Sequence, residues 1–140
     1  MADVATSQLR LESESSFGWQ MWAWAMQQAR TSREPVYFYH FSRGRGGHGA
    51  ELPYVFARPF GPTWTDVHQD IADRISSYWT NFAKTGNPNG TGLPVWPAFS
   101  EGQQTTMYLG QDFAAGSMPN LQEHLLMDAY MNSLRSRTTN

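Results

Sequence analysis

The residue best placed to do chemistry in this sequence is His48, which lies in the glycine-rich segment 44–50, GRGGHGA. Gly47 and Gly49 flank the imidazole, and glycine backbone can bend sharply enough to bring a side chain close to a reacting group. An imidazole titrates near neutral pH, so it can accept and return a proton during catalysis. The segment predicts a loop that presents a proton-transferring histidine; a structural or solvent-exposed histidine is the alternative.

The same segment has the G-x-G-x-x-G spacing of dinucleotide-binding loops, at Gly44, Gly46 and Gly49. A dinucleotide loop must open a helix, because the helix N-terminus binds the pyrophosphate. Residues 51–53, Glu-Leu-Pro, follow instead, and no second strand completes a βαβ unit. We therefore interpret the match as coincidental.

The other three histidines give no metal motif. His40, His68 and His124 have no zinc-ligand spacing, and the sequence contains no cysteine, so we expect no metal. His40 falls in a predicted strand and is interpreted as a satisfied sheet or core residue, whereas His68 and His124 are expected to be solvated or capping residues in first turns of helices. No G-x-S-x-G nucleophile elbow occurs, so the sequence contains no complete Ser–His–acid set of the elbow type.

Composition excludes several classes of function. The net charge of −2 gives no electrostatic basis for binding nucleic acid or an anionic membrane. Charged residues make up only 16% of the chain, well below the usual ~25%, which indicates that much of the surface is meant for burial. No apolar run approaches the ~18 residues of a membrane span, and residues 1–15 lack the pattern of a signal peptide. We expect a soluble chain.

The elements that must position His48 follow from hydrophobic periodicity. Residues 1–14 predict a flexible lead-in, and Ser15 or Ser16 caps a helix that ends near Arg30. The i, i+4, i+7 rule predicts one apolar face and a second, smaller one. The first comprises Phe17, Met21, Trp24, Ala25 and Gln28, and the second Trp22 and Met26.

Residues 36–41 predict a strand covered on both faces of a parallel sheet, and residues 105–109 the only other strand, so the sheet is expected to be incomplete. A long helix over 67–84, capped by Thr65 or Asp66 and ended by Gly86, lies between them. Its expected apolar stripe is Val67, Ile71, Ile75, Tyr78, Trp79 and Phe82. Residues 87–92 and 110–119 predict loops. Asn89-Gly90-Thr91 is also an N-glycosylation sequon.

A last helix is expected from Pro119 or Asn120 to about Arg135, and residues 136–140 form a polar tail. Its expected packed side comprises Leu121, Leu125, Met127, Met131 and Leu134.

With these segments in view, the chain resembles the C-terminal part of the type-B carboxylesterase/lipase family of α/β-hydrolases. The strand 35–39, PVYFY, is similar to the late sheet strand before the family's histidine loop, and residues 48–56, HGAELPYVF, to its H-G-x-E-[LI]-x-Y-V-F segment. Residues 78–89, YWTNFAKTGNPN, and 93–97, LPVWP, resemble the helix, turn and W-P element that follow. The resemblance runs from about residue 15 to 134 and implies an α/β fold whose sheet is incomplete in this chain.

The resemblance implies that His48 is the histidine of a Ser–His–acid triad, with Gly47, Gly49 and Glu51 supporting its loop. The family's oxyanion glycines, nucleophile elbow and triad acid lie upstream of the matching region. The resemblance therefore implies a fragment of a serine carboxylesterase that hydrolyses carboxylic esters by an acyl-enzyme mechanism and is inactive alone. Its partners would be the ester substrate and the upstream part of the domain, with no metal or organic cofactor.

A second hypothesis is a non-enzymatic interaction module derived from the esterase fold. The predicted unpaired strand and the helix with tryptophans on two faces are surfaces that favour docking. The sequence alone leaves both hypotheses open.

Overall fold

Three short strands and a set of helices make up the part of the chain that the computed structural model describes, residues 14–43, 48–58, 61 and 63–138. The predicted lead-in lies almost wholly outside these residues. The elements in chain order are a π-helical turn (Glu14–Gly18), α1 (Trp19–Thr31), β1 (Tyr39–Phe41), α2 (Leu52–Val55), α3 (Asp66–Thr85), β2 (Thr105–Leu109), β3 (Ala114–Ser117) and α4 (Leu121–Thr138).

The strands form one mixed sheet in the order β1-β2-β3. β1 is parallel to β2, with Tyr39 opposite Met107, and β2 is antiparallel to β3. The predicted parallel pairing and the bounds of β2 are confirmed. Within the described sheet β1 is an edge strand, because β2 is its one neighbour.

Two predictions about the strands are wrong. β1 is shorter than the predicted 36–41, because Val36 forms an isolated antiparallel bridge with Phe99 before the chain joins β2. β3 lies in the predicted loop 110–119. Its sequence Ala-Ala-Gly-Ser has little intrinsic strand preference, so pairing with β2 rather than local propensity makes it a strand.

Helix α3 confirms its predicted limits. Thr65 occupies the N-cap, with its Oγ1 2.7 Å from Nδ1 of His68 in the first turn. Gly86 ends the helix with φ of +73°, a left-handed conformation that glycine adopts without strain. Ile71, Ile75 and Tyr78 are buried as predicted. The two ends of the expected stripe, Val67 and Phe82, are exposed instead, because the described core covers only the middle of the helix.

Helix α1 buries the second of its two predicted apolar faces, Trp22 and Met26, and leaves most of the first exposed. Ser15 and Ser16 lie within the π-helical turn, and Gly18 occupies the N-cap position. The residues that pack inward are Trp19, Trp22, Ala25 and Met26. The helix has apolar side chains of its own on several sides. Hydrophobic periodicity therefore could not select the face that meets α4 and the sheet. The expected principal face is largely exposed: 56% for Phe17, 45% for Met21 and 61% for Trp24.

Helix α4 packs on α1 around a buried histidine. His124 is only 3% exposed, and its ring stacks on Trp22 with the centroids 5.8 Å apart; its predicted solvated or capping role is therefore wrong. Leu125 and Leu134, expected on the packed side, are exposed. The helix continues to Thr138 and so includes the first residues of the predicted polar tail.

The turn after α3 is held by the side chain of Asn89. Its Oδ1 accepts a hydrogen bond from the backbone N of Trp96 at 2.7 Å. Its Nδ2 donates to the carbonyl of Trp96 at 2.9 Å and to Oδ1 of Asn87 at 2.8 Å. This amide therefore places Trp96, whose indole Nε1 donates to the carbonyl of Phe38 at 3.2 Å just before β1.

We expect Asn89→Ala to lower the free energy of unfolding by about 2 kcal/mol, because it removes partly buried hydrogen bonds worth about 1 kcal/mol each. Urea denaturation followed by tryptophan fluorescence measures the change. Asn132→Ala, on the exposed surface of α4, is the control and should change the free energy by less than about 0.5 kcal/mol. An unchanged midpoint for Asn89→Ala would show that the turn does not depend on this amide.

Candidate active-site loop

His48 lies on an exposed turn that follows β1 and leads into α2. Its ring faces Phe17 of the π-helical turn, with the centroids 5.6 Å apart and the planes inclined by 30°. The structure thus places the predicted proton carrier at the surface, beside an aromatic ring. Gly47, predicted to support the loop, lies outside the described residues.

Gly49 makes the turn after His48 possible. Its backbone φ is +74°, a value that residues other than glycine rarely adopt. Its carbonyl accepts a hydrogen bond from Leu52 N at 3.1 Å. A Cβ at this position would lie 3.2 Å from Leu52 Cδ1. Backbone conformation and close contact therefore both favour glycine here.

Glu51 links the loop to β1. Burial raises the pKa of Tyr39 to about 12, and the negative charge of the nearby Glu51 carboxylate contributes to this rise. A protonated hydroxyl can donate to a carboxylate, whereas a tyrosinate would repel it. Glu51 therefore contacts the strand that precedes the loop as well as forming part of the turn itself.

Arg43, which lies two residues after β1, connects the end of this strand to the two helices that follow. Its Nε donates to the hydroxyl of Tyr54 in α2 at 3.0 Å, and its Nη2 lies 3.1 Å from Nε2 of His68 in α3. Tyr54 is buried, and its ring packs against Trp64 and Phe41 with centroid distances of 5.1 and 5.4 Å. Sequence reasoning did not identify Arg43 or Tyr54 as part of the loop's support.

A small cleft adjoins the turn. It has a volume of about 200 Å³ and opens to solvent. The lining residues are Ala50, Pro53, Tyr54, Thr63, Trp64 and His68. His68 is thus part of the wall as well as the predicted capping residue of α3, and Trp64 is fixed there by donating to Oε1 of Gln69 at 3.0 Å.

His40 lies in β1 and is not part of this loop. His40 is an exposed residue of β1 whose ring meets Tyr108 on β2 edge to face, so it is a sheet residue as predicted, although not a core one.

Among the residues with assigned structure, no group of three or more His, Cys, Asp or Glu side chains could hold a metal ion. None of the described helices is long and apolar enough to cross a membrane.

Comparison with known proteins identifies the fold around this loop. The sequence profile described as Carboxylesterase family matches residues 3–126. The chain belongs to the carboxylesterase family. Human cocaine esterase is 40% identical over 88 residues, 52% of this chain and 16% of its own length. A medium-chain fatty acyl-CoA hydrolase precursor from Anas platyrhynchos is 32% identical over 115 residues, 71% of this chain and 20% of its own.

Solved esterase structures match the same architecture. A carboxylesterase from Geobacillus stearothermophilus superposes with a TM-score of 0.78 and 27% identity, over 89% of this chain and 28% of that one. A PNB esterase superposes with a TM-score of 0.74 and 26% identity, over 89% and 27% of the two chains. The α/β-hydrolase fold class predicted from the sequence is confirmed. The chain spans about a fifth of the length of the curated relatives it matches.

We expect the stability of the fold to fall above pH 10 through Tyr39. Its pKa is about 12 when folded, against about 10 for a free tyrosine. A raised pKa stabilises the folded state fully below pH 10, and that contribution is lost as the pH rises from 10 to 12. Urea denaturation at a series of pH values measures the free energy of unfolding.

Tyr39→Phe should flatten this decline, because it retains the ring and removes the titrating hydroxyl. Tyr130→Phe, on the exposed face of α4, is the matched control and should leave the decline unchanged. An equal slope in the Tyr39→Phe variant and the parent chain would exclude ionisation of Tyr39 as the cause of the decline.

Proposed function

We propose that this chain supplies the general-base histidine, His48, of a serine carboxylesterase that acts on carboxylic esters. The observation that carries the proposal is the turn at Gly49 that exposes the imidazole between a parallel edge strand and α2. The sequence 48–56, HGAELPYVF, forms this turn and α2 in a chain of the carboxylesterase family.

In this mechanism His48 takes the proton of a serine hydroxyl while that oxygen attacks the ester carbonyl. It then returns the proton to the leaving alcohol, and the cycle repeats with water to release the acid. A carboxylate on the other ring nitrogen orients the imidazole and stabilises its cationic form. Gly49 and Glu51 hold the turn; Gly47 is assigned to the same support by resemblance.

The serine, the oxyanion donors and the triad acid come from the part of the hydrolase domain that precedes this region in the family. The 140 residues contain no nucleophile elbow, so we propose that the chain alone has no esterase turnover. An imidazole without a nucleophile and oxyanion hole provides only general-base catalysis, worth about 10²–10⁴-fold.

Three features support a surface that the rest of the domain covers. β1 has an unpaired edge within the described sheet, where a further parallel strand can bind. Beside it lies an apolar cleft of about 190 Å³. Its lining residues are Tyr37, Tyr39, Tyr78, Trp79, Phe82, Pro88 and Trp96. The exposed Phe17, Met21 and Trp24 of the first helical segment add a second apolar surface.

A chimera tests the catalytic role. This chain replaces the matching region of the Geobacillus stearothermophilus carboxylesterase, and hydrolysis of a short-chain nitrophenyl ester is measured with and without a serine-directed inhibitor. We expect inhibitor-sensitive turnover in the chimera and none in the isolated chain. His48→Gln should lower kcat about a thousandfold, because the general base is lost.

His40→Gln is the matched control, since it removes an exposed histidine from the strand just before the loop, and it should retain activity. Full activity of the His48→Gln chimera, or inhibitor-sensitive turnover by the isolated chain, would contradict the proposal.

The exposed apolar residues also favour the second hypothesis, an interaction module without catalysis. The two functions differ in one measurement. A chimera that folds but shows no ester turnover above background, with or without His48→Gln, would favour the interaction module over the esterase.

A further inference from the structure

We infer that Arg43 and Tyr54 form a side-chain clamp that positions His48 for proton transfer, so that both are positioning residues of the proposed esterase site. The inference rests on the proposed role of His48. Arg43 stands five residues before His48 and Tyr54 six residues after it. The hydrogen bond between them, 3.0 Å from Nε to the hydroxyl, therefore closes the loop on which the imidazole lies.

The clamp is anchored at both ends by rigid elements. Arg43 lies two residues after β1, and the intervening Ser42 donates from its backbone N to the carbonyl of Leu109 in β2 at 2.8 Å. Tyr54 is buried in α2 between the rings of Phe41 and Trp64. The hydrogen bond therefore ties the helix that follows His48 to the end of the sheet strand that precedes it.

The second guanidinium contact extends the clamp to α3. A guanidinium has donors and no acceptor, so Nε2 of His68 accepts the bond from Nη2 of Arg43 at 3.1 Å. The other ring nitrogen of His68, Nδ1, then carries the proton and donates it to Oγ1 of Thr65 at 2.7 Å. Arg43 thus joins three segments that are distant in sequence. A lysine could replace its charge but not its fork of donors.

The part of the loop after His48 has its own backbone hydrogen bonds. The clamp therefore contributes to the placement of this part and not to its internal shape. Leu52 N donates to the Gly49 carbonyl at 3.1 Å, and Val55 N donates to the Glu51 carbonyl at 3.0 Å. These bonds shape the turn and α2 internally. The Arg43–Tyr54 bond acts with the packing of Tyr54 on Phe41 to set where this unit lies relative to the end of β1, and therefore where the imidazole points.

Hydrogen exchange of the full chain, measured by mass spectrometry, tests the clamp without any activity. Tyr54→Phe removes the hydroxyl and retains the ring, and Arg43→Gln removes the guanidinium. We expect exchange in residues 48–56 to rise about tenfold in both variants, since a hydrogen bond to a charged group is lost, while exchange in α4 is unchanged. Arg33→Gln, at an exposed arginine between α1 and β1, is the control and should change neither segment.

Equal exchange in residues 48–56 for the parent chain and both variants would overturn the inference, as would a rise of equal size in every segment, which indicates general destabilisation. A second variant of Arg43 guards against loss of the fold: Arg43→Lys should give an intermediate rise.

In the chimera, both Tyr54→Phe and Arg43→Gln should lower kcat about tenfold with KM within about twofold and with the number of inhibitor-titrated sites unchanged. A loss of titratable sites with normal kcat per site would refute positioning. If His48→Gln leaves the chimera fully active, the proposed function fails, while the exchange experiment still decides whether the clamp exists.

Discussion

The packing of Trp96 is the interaction on which the rest of the described fold depends. Its indole is buried, donates to the carbonyl of Phe38, and meets the rings of Tyr39, Tyr78 and Trp79 at centroid distances of 5.4–6.0 Å. These contacts join the segment after α3 to β1 and to α3 itself. Aromatic pairs in edge-to-face and tilted arrangements stabilise beyond their buried area. The strand that leads to His48 therefore packs against one side chain, that of Trp96, which an irregular segment supplies.

The sequence predicts those parts of the fold whose signals are local. Thr65, Gly86 and an apolar repeat every three or four residues define α3 without reference to any other segment. β3 could not be predicted in this way, because its small residues become a strand only through pairing with β2. The buried face of α1 was also undetermined, since its tryptophans point in several directions and only tertiary contacts select among them.

The residues of the candidate site also differ in whether a local sequence signal predicts them. His48, Gly49 and Glu51 follow from one continuous segment whose residue types suggest a turn and a proton carrier. Arg43 and Tyr54 are eleven residues apart, with no periodicity that links them, and their contact depends on the path of the chain between a strand and a helix. Long-range hydrogen bonds between irregular segments leave no repeat in a sequence, so they emerge only from coordinates.

The hydrogen-bonding role of Asn89 has a consequence for how this protein can be made. Its Nδ2 has two hydrogens, and the turn uses both, one toward Asn87 and one toward Trp96. The same nitrogen is the acceptor atom of an Asn-x-Thr sequon, and attachment of a sugar would replace one of these hydrogens. Glycosylation and formation of this turn therefore compete for one atom, and production in a host that does not glycosylate leaves that atom to the fold.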